Sequence, residues 1–345
     1  MSRVLVAMSG GVDSSVAAAL LLEQKHDVAG VTLRLWGGES DSGCCSVADV
    51  DDARRVAQQL GIEHWVFNFA DDFDAHIVNP YVAAHAEGRT PNPCIECNRH
   101  IKFARLLERA DRLGFDYLAT GHHVRRVMVE GTWALVRAVD AAKDQSYVVH
   151  MLDQGAIARC LFPVGDLPKS EVRARASALG LRTADKPDSQ DVCFIAAKGG
   201  GRRTFLGNRI SLRPGRVVDG DGTEIGSVEA IELVTIGQRR GLDAGGAAAR
   251  RFVVDIDTAS RTVTMGTATE LLRDTVELDA LGWAGAPGSG EVLVQMSAHG
   301  APVGGRIDGA TVTFTSPQPR IAPGQSVVLY DAATGSTVLG GGIAT

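Results

Sequence analysis

Apolar and polar positions along the first 180 residues fall into two alternating patterns. Short apolar runs at residues 4–8, 28–35, 65–69 and 116–121 read as strands. Between them, residues 16–22, 47–60, 73–86 and 101–113 carry helical spacing, and a last helix is predicted over 170–179. This alternation predicts an α/β domain with a parallel sheet covered on both faces and ligands at the C-terminal strand ends. Near residue 199 the pattern changes. Short strand-like pieces follow at 252–256, 262–265, 292–296, 305–307, 311–315 and 326–330, separated by glycine and proline turns. Asp219-Gly220-Asp221-Gly222 is a strong hairpin signal. The expected organisation is an α/β domain over 1–198, a small central β-rich domain with a basic lead-in over 199–266, and a C-terminal β-barrel-like domain over 267–345.

Composition adds limits. The 345 residues are 45% hydrophobic and 22% charged, as in ordinary globular proteins. No apolar run approaches the roughly 20 residues that span a bilayer, and the first strand leaves no room for a signal peptide. A cytoplasmic location without membrane association is therefore expected, and the six cysteines are read as chemistry before scaffolding. Net charge is −6, yet residues 199–216 hold Arg202, Arg203, Arg209, Arg213 and Arg216 without an acid. Arg239-Arg240 and Arg250-Arg251 add two basic pairs. A local phosphate-binding face is compatible with an acidic chain. The 199–216 segment is expected to be mobile, because glycine and arginine bury little.

The sharpest chemical signal is Met8-Ser9-Gly10-Gly11-Val12-Asp13-Ser14-Ser15, between the first strand and the first helix. Strand, glycine-rich turn and helix place backbone N–H groups and a positive helix end against a phosphate. Asp13 or Ser14 is expected to cap the helix. The spacing is not that of the G-x-x-x-x-G-K-[ST] loop. It resembles instead the pyrophosphate-binding loop of N-type ATP pyrophosphatases, which cleave ATP between the α- and β-phosphates.

Two cysteine sites stand out. Thr90-Pro91-Asn92-Pro93-Cys94-Ile95-Glu96-Cys97 is stiffened by prolines and precedes a helix, which would poise Cys97 at a helix N-terminus. Asp188-Ser189-Gln190-Asp191-Val192-Cys193 is a polar loop ending in a second candidate thiol. Taken alone, Cys94-x-x-Cys97 is compatible with a redox pair, half a zinc site or an iron–sulfur ligand pair. Cys160 reads as a buried filler, and Cys44 and Cys45 receive no role.

Taken together, the motifs closely resemble those of the tRNA-specific 2-thiouridylases, over nearly the whole chain. They are A-M-S-G-G-V-D-S-S from Ala7, G-R-T-P-N-P from Gly88, A-T-G-H-H from Ala119, K-D-Q-S-Y from Lys143, D-S-Q-D-V-C-F-I from Asp188, T-I-G-Q-R-R-G-L from Thr235 and P-G-Q-S-V-V-L-Y from Pro323. The resemblance implies thiolation of C2 of the wobble uridine in tRNA, with ATP and Mg²⁺ as cofactors. ATP would be held by Ala7, Met8, Ser9, Gly10, Gly11, Val12, Asp13 and Ser14, with Leu33 and Gly121 on the adenine and ribose side. Cys193 would carry a persulfide received from a cysteine desulfurase or sulfur-relay protein. Cys97 would release that sulfur and end in a transient disulfide with Cys193. Asn92, Pro93 and Cys94 would face the target base, and His122, Lys143, Asp144, Gln145 and Gln325 would meet tRNA.

Two departures from the family pattern matter. Many members carry Asp, proposed as a general base, where this chain has Cys94. The change also leaves Cys94, Cys97 and Cys193 available for an iron–sulfur cluster, an alternative in which no persulfide forms; the persulfide route is the leading reading. The family's basic-aromatic tRNA contact aligns with Ser297-Ala298, which supplies neither charge nor stacking. Two rival functions are a synthetase of the same superfamily acting on a small molecule and a nucleotide-sensing RNA-binding protein.

Overall fold

The computed structural model describes residues 1–35, 46–188, 192–195, 200–244 and 250–345. The first unit is built on a parallel sheet of five strands: β1 (Arg3–Ala7), β2 (Asp27–Arg34), β3 (Glu63–Asn68), β4 (Tyr117–Thr120) and, after a hairpin of β5 (Val124–Val129) and β6 (Thr132–Arg137), β7 (Cys160–Leu161). Their order is β3-β2-β1-β4-β7, so the strand order reverses between β1 and β4. In sheets of this type ligands bind in the crevice at that reversal.

Side chains of β1 alternate between two cores. Val4 and Val6 pack with α1 (Val12–Glu23), α2 (Val47–Leu60) and the helix Lys169–Ala178, through Val16, Val56 and Val172. Leu5 faces the opposite layer, with Val31, Phe73, Ile101 and Phe103. α1 is apolar nearly all round, as a helix covered on both sides must be.

The helices on that opposite layer begin earlier than the spacing predicts. The run 70–86 starts at Ala70 and is π-wound over Asp74–Val78. The next starts at Pro93, with the Asn92 side chain accepting from the Cys94 N–H at 3.1 Å, and is π-wound over Cys97–Arg105. Cys94, not Cys97, therefore occupies the first turn, which corrects the expected placement of Cys97 at a helix start.

The second unit is a sheet in the order β10-β9-β8-β12-β11, formed by β8 (Gly215–Val218), β9 (Glu224–Val228), β10 (Asp243–Ala244), β11 (Phe252–Asp257) and β12 (Thr262–Gly266). The Asp219–Gly222 turn joins β8 to β9 as an antiparallel hairpin. The third unit is a closed barrel of β13 (Leu272–Trp283), β14 (Gly290–Gln295), β15 (Val303–Asp308), β16 (Thr311–Pro319), β17 (Ser326–Asp331) and β18 (Val338–Ala344), with β13 pairing β18 to close it.

The basic lead-in contains a helix, Gly201–Gly207. Its glycine-arginine composition conceals two apolar anchors, Phe205 and Leu206, both buried. Phe205 packs on Phe194 and Tyr81, at ring-centroid distances of 5.1 and 6.3 Å. Among the described residues, no helix is long and apolar enough to cross a membrane.

Candidate active site

At the β1/β4 reversal lies a cavity of about 360 Å³, large enough for a small-molecule ligand. Ala7, Met8, Ser9, Gly11, Val12, Asp13 and Ser14 line one side, Leu33 and Gly121 another. Gly10 is not on its wall; it makes the turn with φ +71°. Gly121 is required by a close approach, since a Cβ there would lie 2.5 Å from the Ser14 nitrogen.

No side chain caps α1, contrary to expectation. Gly11 is the N-cap residue, and its carbonyl accepts from the Ser14 and Ser15 hydroxyls at 3.2 and 2.8 Å. Asp13 turns aside to His123 and Lys169. The first-turn N–H groups and the positive end of the dipole are thus left toward the cavity, an arrangement that suits an anion.

Four lysines line the same cavity: Lys102, Lys143, Lys169 and Lys186. Lys169 bonds both Asp13 oxygens at 2.7 and 2.6 Å and Asp188 at 2.9 Å. Lys143 and Arg173 also reach Asp188, at 2.8 and 2.9 Å. Burial raises the Asp188 pKa, but Lys143 and Lys169 outweigh it and bring it down to about 2. Burial likewise raises Asp13, and hydrogen bonds from His123 and Lys169 hold it below the usual carboxylate value. His122 is pushed down to about 3 by burial, with Lys102 and His123 opposing its charge further. The wall thus carries four lysines interleaved with four carboxylates, Asp13, Asp49, Asp144 and Asp188, of which Asp13 and Asp188 are held ionised while His122 stays neutral at neutral pH.

The residues expected at tRNA divide. His122, Lys143, Asp144 and Gln145 line the nucleotide-sized cavity. Asp144 is almost fully enclosed, accepting from Arg137, the Ala138 N–H and Ser146 at 2.9, 2.9 and 2.6 Å. Gln145 accepts from the His123 N–H at 2.8 Å. Gln325 stands apart from the cavity and donates its amide to the Thr90 carbonyl. Asn92, Pro93, Cys94, Cys97 and Cys193 are likewise absent from the cavity wall. The link is the helix run itself, which begins around Cys94 and Cys97 and delivers Lys102 to the cavity.

Cys94 is exposed, Cys97 buried and Cys193 half-buried. Cys97 belongs to the core layer, and Cys193 packs against the same layer next to Phe194. Cys160 is fully buried and its thiol is pushed up to about 12 by that burial, as a filler should be. Cys44, Cys45 and Ser189-Gln190-Asp191 lie outside the described residues.

Three protein families match the chain in succession. They are described as the tRNA methyl transferase HUP domain over residues 2–197, the tRNA methyl transferase PRC-barrel domain over 203–267 and the aminomethyltransferase beta-barrel domain over 273–344. The tRNA-specific 2-thiouridylase MnmA of Roseiflexus castenholzii is 43% identical, the alignment covering 99% of each chain. That of Chloroflexus aurantiacus is 46% identical over 99% of this chain and 98% of its own. The chain belongs to the tRNA-specific 2-thiouridylase family. Among solved structures, the U34-tRNA thiolase NcsA of Methanococcus maripaludis with its [4Fe-4S] cluster shares 20% identity, at a TM-score of 0.37 over 60% of this chain and 63% of that one. So distant a likeness bears on neither cofactor nor mechanism.

Mg²⁺ held through substrate phosphates would need only one or two carboxylates from the protein. Asp13 and Asp188 both face the cavity. The cysteines fit a cluster less well. Among the described residues no three His, Cys, Asp or Glu side chains are gathered as a metal site, so Cys94, Cys97 and Cys193 are not assembled as a ligand set.

Several wall residues were not anticipated. Asp49 reads in sequence as part of a solvated helix start. It forms a capping box with Ser46, and Lys186 bonds it at 2.6 Å and Asp52 at 2.8 Å. His299, immediately after Ser297-Ala298, is the barrel unit's contribution to the cavity wall. The arginines of 199–216 are largely engaged internally. Arg202 donates to the Leu233 carbonyl, Arg203 pairs with Glu229, and Arg213 pairs with buried Glu232, each at 2.7 Å.

Proposed function

We propose that the protein uses ATP to 2-thiolate the wobble uridine of tRNA, through adenylation of the C2 oxygen and sulfur transfer from a persulfide on Cys193. One observation carries the nucleotide half of this reading: the uncapped first turn of α1 and four lysines surround a single cavity whose third wall is Val31, Leu33 and Leu35. A polyanion with an apolar base matches that wall. The triphosphate meets the α1 N–H groups and Lys169, while the adenine lies against Leu33.

Asp13 and Asp188 would hold Mg²⁺ with the phosphates, and the ion would supply charge neutralisation of the triphosphate. Lys143, Lys169 and the α1 N-terminus stabilise charge that builds on the phosphates as pyrophosphate leaves. The uridine C2 oxygen forms a bond to the α-phosphorus, and the bond to pyrophosphate breaks. Cys193, charged with sulfur by a cysteine desulfurase or sulfur-relay protein, holds the outer sulfur. The Cys97 thiolate attacks the Cys193 inner sulfur, forming a disulfide and releasing hydrosulfide. Hydrosulfide attacks C2, and AMP departs with the original oxygen. An external thiol then reduces the disulfide, restoring both cysteines.

The reacting base must leave the anticodon stack to reach the cavity. Cys94 is exposed in the turn before Cys97, next to half-buried Asn92 and buried Pro93, and this segment would face the base. His122, Lys143 and Gln145 would contact it at the cavity. Asp144 is internally satisfied and would act by holding Arg137 and Ser146. Exposed Arg239 and Arg240 would meet the RNA backbone. With Cys94 in place of a carboxylate, proton removal falls to water or to the phosphates.

Transfer of oxygen-18 tests the chemistry. With tRNA labelled at the wobble-uridine C2 oxygen, the label is expected in the phosphate of AMP. Thiolation with unlabelled AMP would overturn the adenylation step.

A further inference from the structure

The segment carrying Cys94 and Cys97 is tied to both β-rich units through one residue. The Thr90 N–H donates to the Pro323 carbonyl at 2.7 Å, and its carbonyl accepts from the Gln325 side-chain amide. Its hydroxyl donates to the Thr235 hydroxyl at 3.4 Å. Pro323 and Gln325 belong to the barrel unit, Thr235 to the central one. Thr90 thus commits its two backbone groups and its hydroxyl to partners more than 140 residues away in sequence.

Both ends of this tie are rigid. On the barrel side, the Gln325 N–H donates to Ala322 at 3.0 Å and its carbonyl accepts from Ala344 at 2.8 Å. Ala322 is itself buried in the core of the central sheet. On the catalytic side, Thr90 is separated from Cys94 by Pro91, Asn92 and Pro93. The two prolines fix φ, and the Asn92 side chain caps the Cys94 N–H, so little torsional slack remains.

We propose that Gln325 is a positioning residue: through Thr90 it sets where the Cys94–Cys97 turn sits, so that docking of the two β-rich units aims the cysteines. This rests on the reading of Cys97 as a catalytic thiol. It gives Gln325 a role distinct from the tRNA contact implied by family resemblance, because its amide donates within the chain. A barrel that shifts on meeting RNA would pull directly on the turn.

The test compares wild type with Gln325→Glu, which keeps shape but loses the donor, and with Thr235→Val, which removes the hydroxyl that accepts from Thr90. Alkylation of Cys94 and Cys97 by iodoacetamide is followed by mass spectrometry in protein alone. Steady-state thiolation is measured alongside. Gln325→Glu is expected to change the alkylation rates severalfold. It should lower kcat about tenfold with KM for ATP and tRNA unchanged, the signature of misplaced reacting groups. Thr235→Val should move both readouts in the same direction by less. Unchanged alkylation together with a raised KM for tRNA would overturn the proposal and leave Gln325 as an RNA contact. Changed alkylation in a protein that never thiolates would support the tie and overturn the functional reading instead.

Discussion

Lys169 donates to both carboxylate oxygens of Asp13, at 2.7 and 2.6 Å, from a side chain that is one-tenth exposed. The pair joins the first residues of the helix Lys169–Ala178 to the first turn of α1. It also places the ammonium where phosphate oxygens would compete with the carboxylates. Lys169→Met retains the stem and removes the charge. Stability is expected to fall by about 3 kcal/mol, as when one partner of a buried pair is lost. ATP should bind at least tenfold more weakly, roughly the loss of one charge-assisted bond. Denaturant melts and calorimetric ATP titration check both; unchanged ATP affinity would remove Lys169 from the phosphate site.

Acid should destabilise the fold in two windows. His85 and His150 are lowered to about 4 and His122 to about 3, in each case chiefly by burial. Their unfolded value is 6.5, so between pH 6.5 and 4 the unfolded chain binds protons that the folded one refuses. Stability therefore falls as pH drops through that range. Asp188, lowered to about 2 from 3.8, contributes stability that is complete above pH 4 and lost as pH falls through 2. His150→Asn should reduce proton uptake on unfolding near pH 5 by about one. Equal slopes for variant and wild type would contradict this assignment.

Gly121→Ala places a Cβ 2.5 Å from the Ser14 nitrogen and 2.7 Å from the Asp13 carbonyl carbon, both backbone atoms. The end of β4 must then move off α1. A loss of about 1–3 kcal/mol is expected, the usual range for overpacking. KM for ATP should rise, while the spectrum of helix content stays the same. A stability loss without any effect on ATP would show that the contact is structural alone.

Cys160 is the thiol that should do nothing. Its burial keeps it protonated, so native-state alkylation should spare it and reach exposed Cys94 first. Cys160→Ala is expected to leave thiolation rates unaltered at a small cost in stability. Lost activity at unchanged stability would require a role that its surroundings do not explain.

Much of this was legible from spacing. The strands around β1 and β4 fall within a residue or two of their predicted positions, because buried parallel strands leave unbroken apolar runs. The helix starts at Ala70 and Pro93 were not legible: π winding over Asp74–Val78 and Cys97–Arg105 shifts the faces that a 3.6-residue period would mark. The β5–β6 hairpin escaped notice too, its tip carrying exposed Met128 and Val129 in place of turn-flanked alternation. In the site, the cavity-lining loop Ser9–Ser14 was legible because its residues are contiguous. Lys186 with Asp49, His299 at the cavity and Thr90 with Gln325 meet only through the tertiary fold. The partners of Arg202, Arg203 and Arg213, which are Leu233, Glu229 and Glu232, were hidden for the same reason, since they lie in later turns.

The most direct measurement is ATP-dependent formation of 2-thiouridine on unmodified tRNA with a persulfide donor. It compares wild type, Cys94→Ala, Cys97→Ser and Cys193→Ser, each purified with and without oxygen excluded. The account predicts activity in aerobic, iron-free protein that is lost with Cys97→Ser or Cys193→Ser and survives Cys94→Ala. Activity confined to anaerobic, iron-loaded protein and abolished by any of the three substitutions would contradict it.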